Sequence, residues 1–328
     1  MELDLGLNFV RFKSDGQQSW GVLEGEQIYK LQTNTDSFQE FLNEGVVEAK
    51  NVLAHQGVEV LQLSEVELLS PIPAPSQIIC QGVNYSLHRQ ESGMDDQKPP
   101  FNMIFSKAPS SICGPNDAII RPDHVKLLDY EIELGLVIRK KITQDTVITE
   151  VNFIDYVAGL VLTNDVSARD VQLTQLQWLK GKSYRTFCPV GPYFYLLEEG
   201  DAAKISNLEL QLKVNGEIRQ EANTSQLLYE PVETLNELAQ IMDLQVGDLV
   251  LTGTPGGVAM QLSAEEMNCM TSLVAKFSDK VDVIQRKYTV GNYLKDGDVI
   301  EATIVSADGS INLGKQQNIV KNLQSINV

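Results

Sequence analysis

The 328-residue sequence predicts a mainly β protein with a few helices, an α+β body whose sheets are closed or sandwiched. Three observations carry that prediction. Short β-like runs recur at 78–81, 102–106, 118–121, 130–138, 156–164, 192–197, 207–214, 248–252 and 298–305. Few segments of helical period lie between them, so the strand–helix alternation that builds a doubly wound parallel sheet is missing. A Pro-rich break, "SPIPAPSQ" at 70–77, sets a smaller unit ahead of this body.

The expected organisation is a small α+β module over 1–70 and a larger domain over 71–328. In the module, 7–32 alternates in short runs split by "SDGQ" and "LEGEQ", the pattern of an antiparallel meander. Residues 37–55 then place Phe38, Phe41, Leu42, Val46, Ala49 and Leu53 on one helical side. In the larger domain, helices are expected over 167–180 and over 232–242, where Leu235, Leu238 and Ile241 recur at helical intervals. A third starts at Ser263, which has Glu266 at capping-box spacing, and runs through Met267, Met270, Leu273, Val274, Phe277, Val281 and Ile284.

Composition narrows the function classes. A net charge of −18 argues against nucleic-acid backbones and anionic membranes as partners, since both demand basic patches. Cys80, Cys113, Cys188 and Cys269 are scattered without CxxC spacing, which fits free thiols in a reducing compartment. The start, "MELDLGLNFVRF", lacks the basic-then-apolar order of a signal peptide, and no run approaches the ~20 apolar residues that span a bilayer. A soluble, cytoplasmic protein is expected.

Chemistry concentrates in a few stretches. "LLDYEIELGLVIRK" (127–140) reads as a sheet interior, yet Asp129, Glu131 and Glu133 share one strand face opposite Tyr130, Ile132 and Leu134. Carboxylates at i and i+2, ~7 Å apart, suit one hard cation; a wet strand edge is the plain alternative. Asp165 in "LVLTNDVSARD" ends another apolar run just before a turn, where it can serve as a third acid or as a helix cap. "IICQGVNYSLHRQESG" carries His88 and Glu91 three residues apart, the spacing of a carboxylate-oriented general base and also of an incidental surface contact. "GDLVLTGTPGGV" turns through Gly253 with Thr252 and Thr254 beside it, a turn that can cradle an anion or simply join two strands. Lys182 in "KGKSYRTFCPVGP" is a cation in a partly apolar run.

Taken in order, "CQGVNYSLHRQE", "FSKAPSSICGPNDAIIRP", "LDYEIELGLVI", "GLVLTNDVSARDVQ", "GKSYRTFCPVGP" and "GDLVLTGTPGGV" resemble the fumarylacetoacetate hydrolase family. The resemblance is dense over 75–258, resumes at "LKDGDVIEATI" (294–304) and weakens towards the N-terminus. It implies a mixed β-sandwich roll, a homodimer, and Mg2+, Mn2+ or Ca2+ held by Glu131, Glu133 and Asp165, with Asp129 only a strand neighbour. It further implies His88 and Glu91 as a water-activating pair, Lys182 as an electrostatic clamp, and Arg169, Gln172, Gly253 and Thr254 on the substrate side.

The implied activity is metal-dependent hydrolysis of a carbon–carbon bond in a small β-diketo acid such as an acylpyruvate. The alternatives are isomerisation, hydration or decarboxylation of a 2-oxo dioic acid, and a non-catalytic metal-binding role. The chain departs from the family pattern in two places. "KSYRTF" has Arg185 where relatives have an acid, a change read as one of surface pairing ahead of a cation for a second substrate carboxylate. Residues 259–291 form an insertion, expected to act as a lid, to narrow the pocket or to lie in a dimer contact. The polar stretch 91–100 is expected to be a mobile loop over the substrate that carries Glu91 inward.

Overall fold

The computed structural model describes residues 6–54, 58–73 and 77–323. Part of the Pro-rich break, 74–76, and the last residue of the expected 37–55 helix lie outside them. Two sheets pack face to face, so the expected mainly β, sandwich-like body with a few helices is what forms.

The larger sheet runs, in spatial order, through Val60–Gln62, Gln27–Lys30, Gln17–Glu24, Leu7–Ser14, Cys188–Leu196, Val157–Asn164, Ile132–Ile138, Leu249–Leu251, Ile78–Gly82 and Met103–Lys107. The N-terminal meander therefore extends the same sheet: Leu7–Ser14 pairs antiparallel with Cys188–Leu196, placing Phe9 opposite Phe194. An aromatic cluster of Phe9, Trp20, Phe38, Phe41 and Phe194 closes that junction. The second sheet orders Glu217–Asn223, Leu208–Val214, Val299–Ser306, Asn312–Asn322 and Ile119–Arg121.

Period-2 alternation decides which side chains fill the space between the sheets. Ile132, Leu134, Leu136 and Ile138 point into one core with Leu208, Leu210, Leu212, Ile300, Ala302 and Ile304. Val137 belongs to the opposite cluster and Glu133 shares its face. All seven residues of Ile132–Ile138 are buried, because both faces of this central strand are covered.

Several elements differ from expectation for local reasons. The 127–140 stretch, expected to put Asp129, Glu131 and Glu133 on one strand face, is not one strand: Leu128–Asp129 leaves the large sheet and pairs with Ser167–Ala168. The expected 167–180 helix breaks at Leu176, whose φ of 62° is left-handed, into Arg169–Gln175 and Trp178–Lys182. The Ser263 capping box forms, but its helix stops at Thr271 and a second, Phe277–Val290, follows. Two long strands escape sequence reading. In Asn312–Asn322 the inward positions include Gln316 and Asn318, which hide the alternation, and Glu217–Asn223 carries almost no apolar side chain. Among the described residues no helix is long and apolar enough to cross a membrane.

Candidate metal centre and active site

Three neighbouring chain segments deliver the acids. Ile132 pairs with Asn164 in antiparallel register, so the residues just outside that pair, Glu131 and Asp165, become neighbours. The Glu131 N–H donates to Asn164 Oδ1 at 2.9 Å and the Asp165 N–H to the Glu131 carbonyl at 2.8 Å. Glu133 projects from the same face of the strand, and its Oε2 accepts the Gly253 N–H at 2.7 Å. The turn behind that donor is laid along the strand by the Thr252 and Thr254 hydroxyls, each donating at 3.0 Å to Leu134 and Ile132 carbonyls. Gly253 has φ +90°, and an added Cβ would stand 2.7 Å from Asn84 Cβ, so the close approach requires glycine. One oxygen from each of Glu131, Glu133 and Asp165 lies within 4.8 Å of the others, and all three residues are buried.

Three buried cations surround them. Lys182 Nζ donates to Glu131 Oε2 at 2.6 Å and Asp165 Oδ2 at 2.8 Å. Lys107 Nζ takes the other Asp165 oxygen at 2.5 Å. Arg169 pairs with Asp129 through Nε at 2.8 Å and with Glu131 through Nη2. Burial pushes the Glu131 carboxyl up, but Arg169 and Lys182 outweigh it and hold the group down at about 2. Burial also opposes charge on Lys182, and Asp165 with Glu131 overcomes it, raising the ammonium above its usual range.

Glu133 is different. Burial, then the Asp165 and Glu131 charges, push its carboxyl well above the usual carboxylate range. Among the described residues it has a backbone N–H as partner and no ion pair. Four buried carboxylates, Asp129, Glu131, Glu133 and Asp165, thus share Lys107, Arg169 and Lys182. Three converging oxygen donors with a charge shortfall at one of them fit a hard divalent cation such as Mg2+, Mn2+ or Ca2+.

A cavity opens on this cluster. His88, Glu131, Glu133, Arg169, Gln172, Lys182 and Thr254 line it, so seven of the ten residues that the family resemblance assigned to the site meet there. Asp165 sits behind them against the lysines. The N–H of Gly253 is spent on Glu133, and the Thr254 hydroxyl both donates to Ile132 and accepts from Gln220 Nε2 at 2.8 Å. Glu91 is near but engaged elsewhere: its two oxygens accept the Gly257 N–H at 2.9 and 3.0 Å, while His88 Nδ1, buried without a partner, lies 3.8 Å away. Met94 from the 91–100 stretch and Met260 and Met267 from the 259–291 segment also line the cavity. Arg185 is exposed and is not part of this lining.

Sequence reading missed Lys107, Gln220 and the role of Asp129. Lys107 ends the apolar run "MIFSK", a faint signal that an ammonium is carried inward. Gln220 lies on a strand without any apolar pattern. Asp129 accepts four N–H donors, from Tyr130, Arg169, Ala259 and Met260, and so is far more than a strand neighbour.

Known proteins resemble this chain in sequence and fold to measurable degrees. The mitochondrial oxaloacetate tautomerase Fahd2a of Rattus norvegicus is 41% identical over 213 residues, which is 65% of this chain and 66% of that protein. The chain thus spans about two thirds of the length of the first relative it matches. The solved structure of 2-hydroxyhepta-2,4-diene-1,7-dioate isomerase from Mycobacterium marinum is 25% identical, with a TM-score of 0.68 and coverage of 98% of this chain and 99% of that one. Fumarylacetoacetate hydrolase from Exiguobacterium antarcticum is 32% identical, with a TM-score of 0.70 and coverage of 96% and 99%. The profile of the fumarylacetoacetate hydrolase C-terminal domain matches residues 77–321, the span that holds both sheets' central strands and every acid and base of the cavity, and the chain belongs to that family of enzymes.

Proposed function

We propose that this chain is a divalent-metal-dependent tautomerase of a small 2-oxo acid of the oxaloacetate class, interconverting its enol and keto forms. The observation that carries this reading is His88. Among the described residues it is the only histidine of the cavity lining, it is buried, and its Nδ1 has no hydrogen-bond partner while Glu91 is tied to Gly257. A tautomerase needs one group that exchanges a proton between carbon and oxygen, and no oriented water. The relatives named oxaloacetate tautomerase and diene-dioate isomerase support the same reading.

Glu131, Glu133 and Asp165 would hold the cation, with Mg2+ proposed ahead of Mn2+. When bound, such an ion lowers the cost of negative charge on a 2-oxo oxygen. Lys182 and Lys107 neutralise Asp165 and so keep three acids close without mutual expulsion. Arg169 and Lys182 present positive charge along the wall that a substrate carboxylate would meet. The apolar cover of Met94, Met260 and Met267 excludes water from that wall, which strengthens each charge interaction. His88, which lines the cavity, passes the proton.

A second reading, hydrolysis of an acylpyruvate, is favoured by one distance: Glu91 Oε2 lies only 3.8 Å from His88 Nδ1, and releasing Gly257 would free it to orient the ring. Loss of the enol absorbance of oxaloacetate, followed with Mg2+ and with EDTA alongside a pyruvate assay, separates the two. Metal-dependent loss without pyruvate is expected. Pyruvate release from acetylpyruvate with no effect on enol oxaloacetate would replace the tautomerase reading with the hydrolase one.

A further inference from the structure

Arg169 spreads its guanidinium over three acceptors. Nε donates to Asp129 Oδ2 at 2.8 Å, Nη1 to Gln172 Oε1 at 2.9 Å, and Nη2 pairs with Glu131 Oε1. Left with a single carboxylate, a guanidinium takes it with two parallel N–H bonds, the stronger fork-on-fork arrangement. Glu131 would then give both oxygens to the arginine. In the structure it does not, because Asp129 occupies Nε and the second Glu131 oxygen stays with Lys182 at 2.6 Å.

Asp129 can do this because it is itself immobilised. Its oxygens accept the N–H groups of Tyr130 at 2.9 Å, Ala259 at 2.8 Å and Met260 at 3.0 Å, and it has no solvent exposure. Ala259 and Met260 open the inserted segment, and Met260 also lines the cavity. The entry turn of the insertion is thereby the anchor of a carboxylate that reaches the arginine beside the acid cluster.

We propose that Asp129 is a positioning residue for the metal centre: by holding Arg169 Nε against the insertion's first turn, it prevents the guanidinium from forking onto Glu131 and leaves that carboxylate to be shared with a divalent cation. This rests on the reading of Glu131, Glu133 and Asp165 as a cation site. Neither the alternation of the strand nor the fit of the three acids requires it, because Asp129 is not among the converging ligands.

The test is Mn2+ affinity, measured on the full chain from the free-ion spin-resonance signal. Asp129→Asn keeps the shape but turns an amide nitrogen towards two of the four donors, and should weaken Mn2+ binding on the order of tenfold. In an Arg169→Lys background, which keeps the charge but cannot fork, the same substitution should cost about twofold or less. An equal penalty in both backgrounds would overturn the proposal, since it would trace the effect to charge or folding rather than to the guanidinium. Native-like affinity in folded Asp129→Asn would overturn it too. If Asp129→Asn does not fold, Arg169→Lys alone decides: affinity within about twofold of the parent supports the proposal, and a loss of about tenfold overturns it. A parent chain that binds no Mn2+ removes the cation site itself, an outcome distinct from any of these.

Discussion

His88 and Glu91 stand one helical turn apart on Ser86–Glu91, with 3.8 Å between Nδ1 and Oε2. That is longer than a hydrogen bond, and the Glu91 carboxylate is held instead by the Gly257 N–H. The two residues should therefore contribute unequally. For enol–keto conversion of oxaloacetate, His88→Ala is expected to lower kcat by ~10²–10⁴, the usual share of general acid–base catalysis, and Glu91→Gln by less than about tenfold. Losses of equal size would mean that the pair acts as a unit, and the single-base reading would fall.

Lys107 and Asp165 form an ion pair with no solvent exposure on either side chain. Removing one member of a buried pair strands the other, at a typical cost of about 3–5 kcal/mol. Lys107→Met is expected to lose that much stability in urea unfolding without divalent metal. Because Asp165 is also one of the three converging acids, saturating Mg2+ should recover part of the loss. A destabilisation below about 1 kcal/mol would show that Lys182 alone satisfies Asp165.

The thiols offer an independent check on the packing. Cys80, Cys113 and Cys188 are buried, and burial raises each thiol above its usual range, Cys188 to about 12. Cys269 is partly exposed. Since the thiolate is the reacting form, an aromatic disulfide reagent at pH 8 should label Cys269 rapidly and the other three only after denaturation. Fast modification of Cys80 or Cys188, located by peptide mass, would contradict the packing behind the acid cluster.

Much of the central strand was legible from its period. Tyr130, Ile132 and Leu134 alternate with Glu131 and Glu133, and the structure sends the first three into the core between the sheets. The Ser263–Glu266 spacing likewise announces a helix start, since both halves of a capping box lie within one turn. Other elements were not legible. Leu176 carries no glycine-like signature, so the break before Trp178 has no local cue. Gln316 and Asn318 are buried polar residues that only their hydrogen bonds to Gly191, Pro115 and Asp117 carbonyls make tolerable, and these partners lie far along the chain.

The sequence by itself determined the mainly β, few-helix character of the body and the order of the motifs, because alternation, capping and residue type are local properties; which three acids converge was implied only by the family resemblance, since alternation alone groups Asp129 with Glu131 and Glu133. Only the tertiary structure decided which charges meet. Lys107 is 58 residues from Asp165, Arg169 is 40 from Asp129, and the Ala259 and Met260 N–H groups are about 130 from the same carboxylate. Burying an acid is tolerable only where donors and cations converge on it, and that convergence is set by how the sheets and the insertion close. For that reason Asp129, unremarkable as one of three alternating acids, acquires its function only once the turn at 259–260 is folded against it.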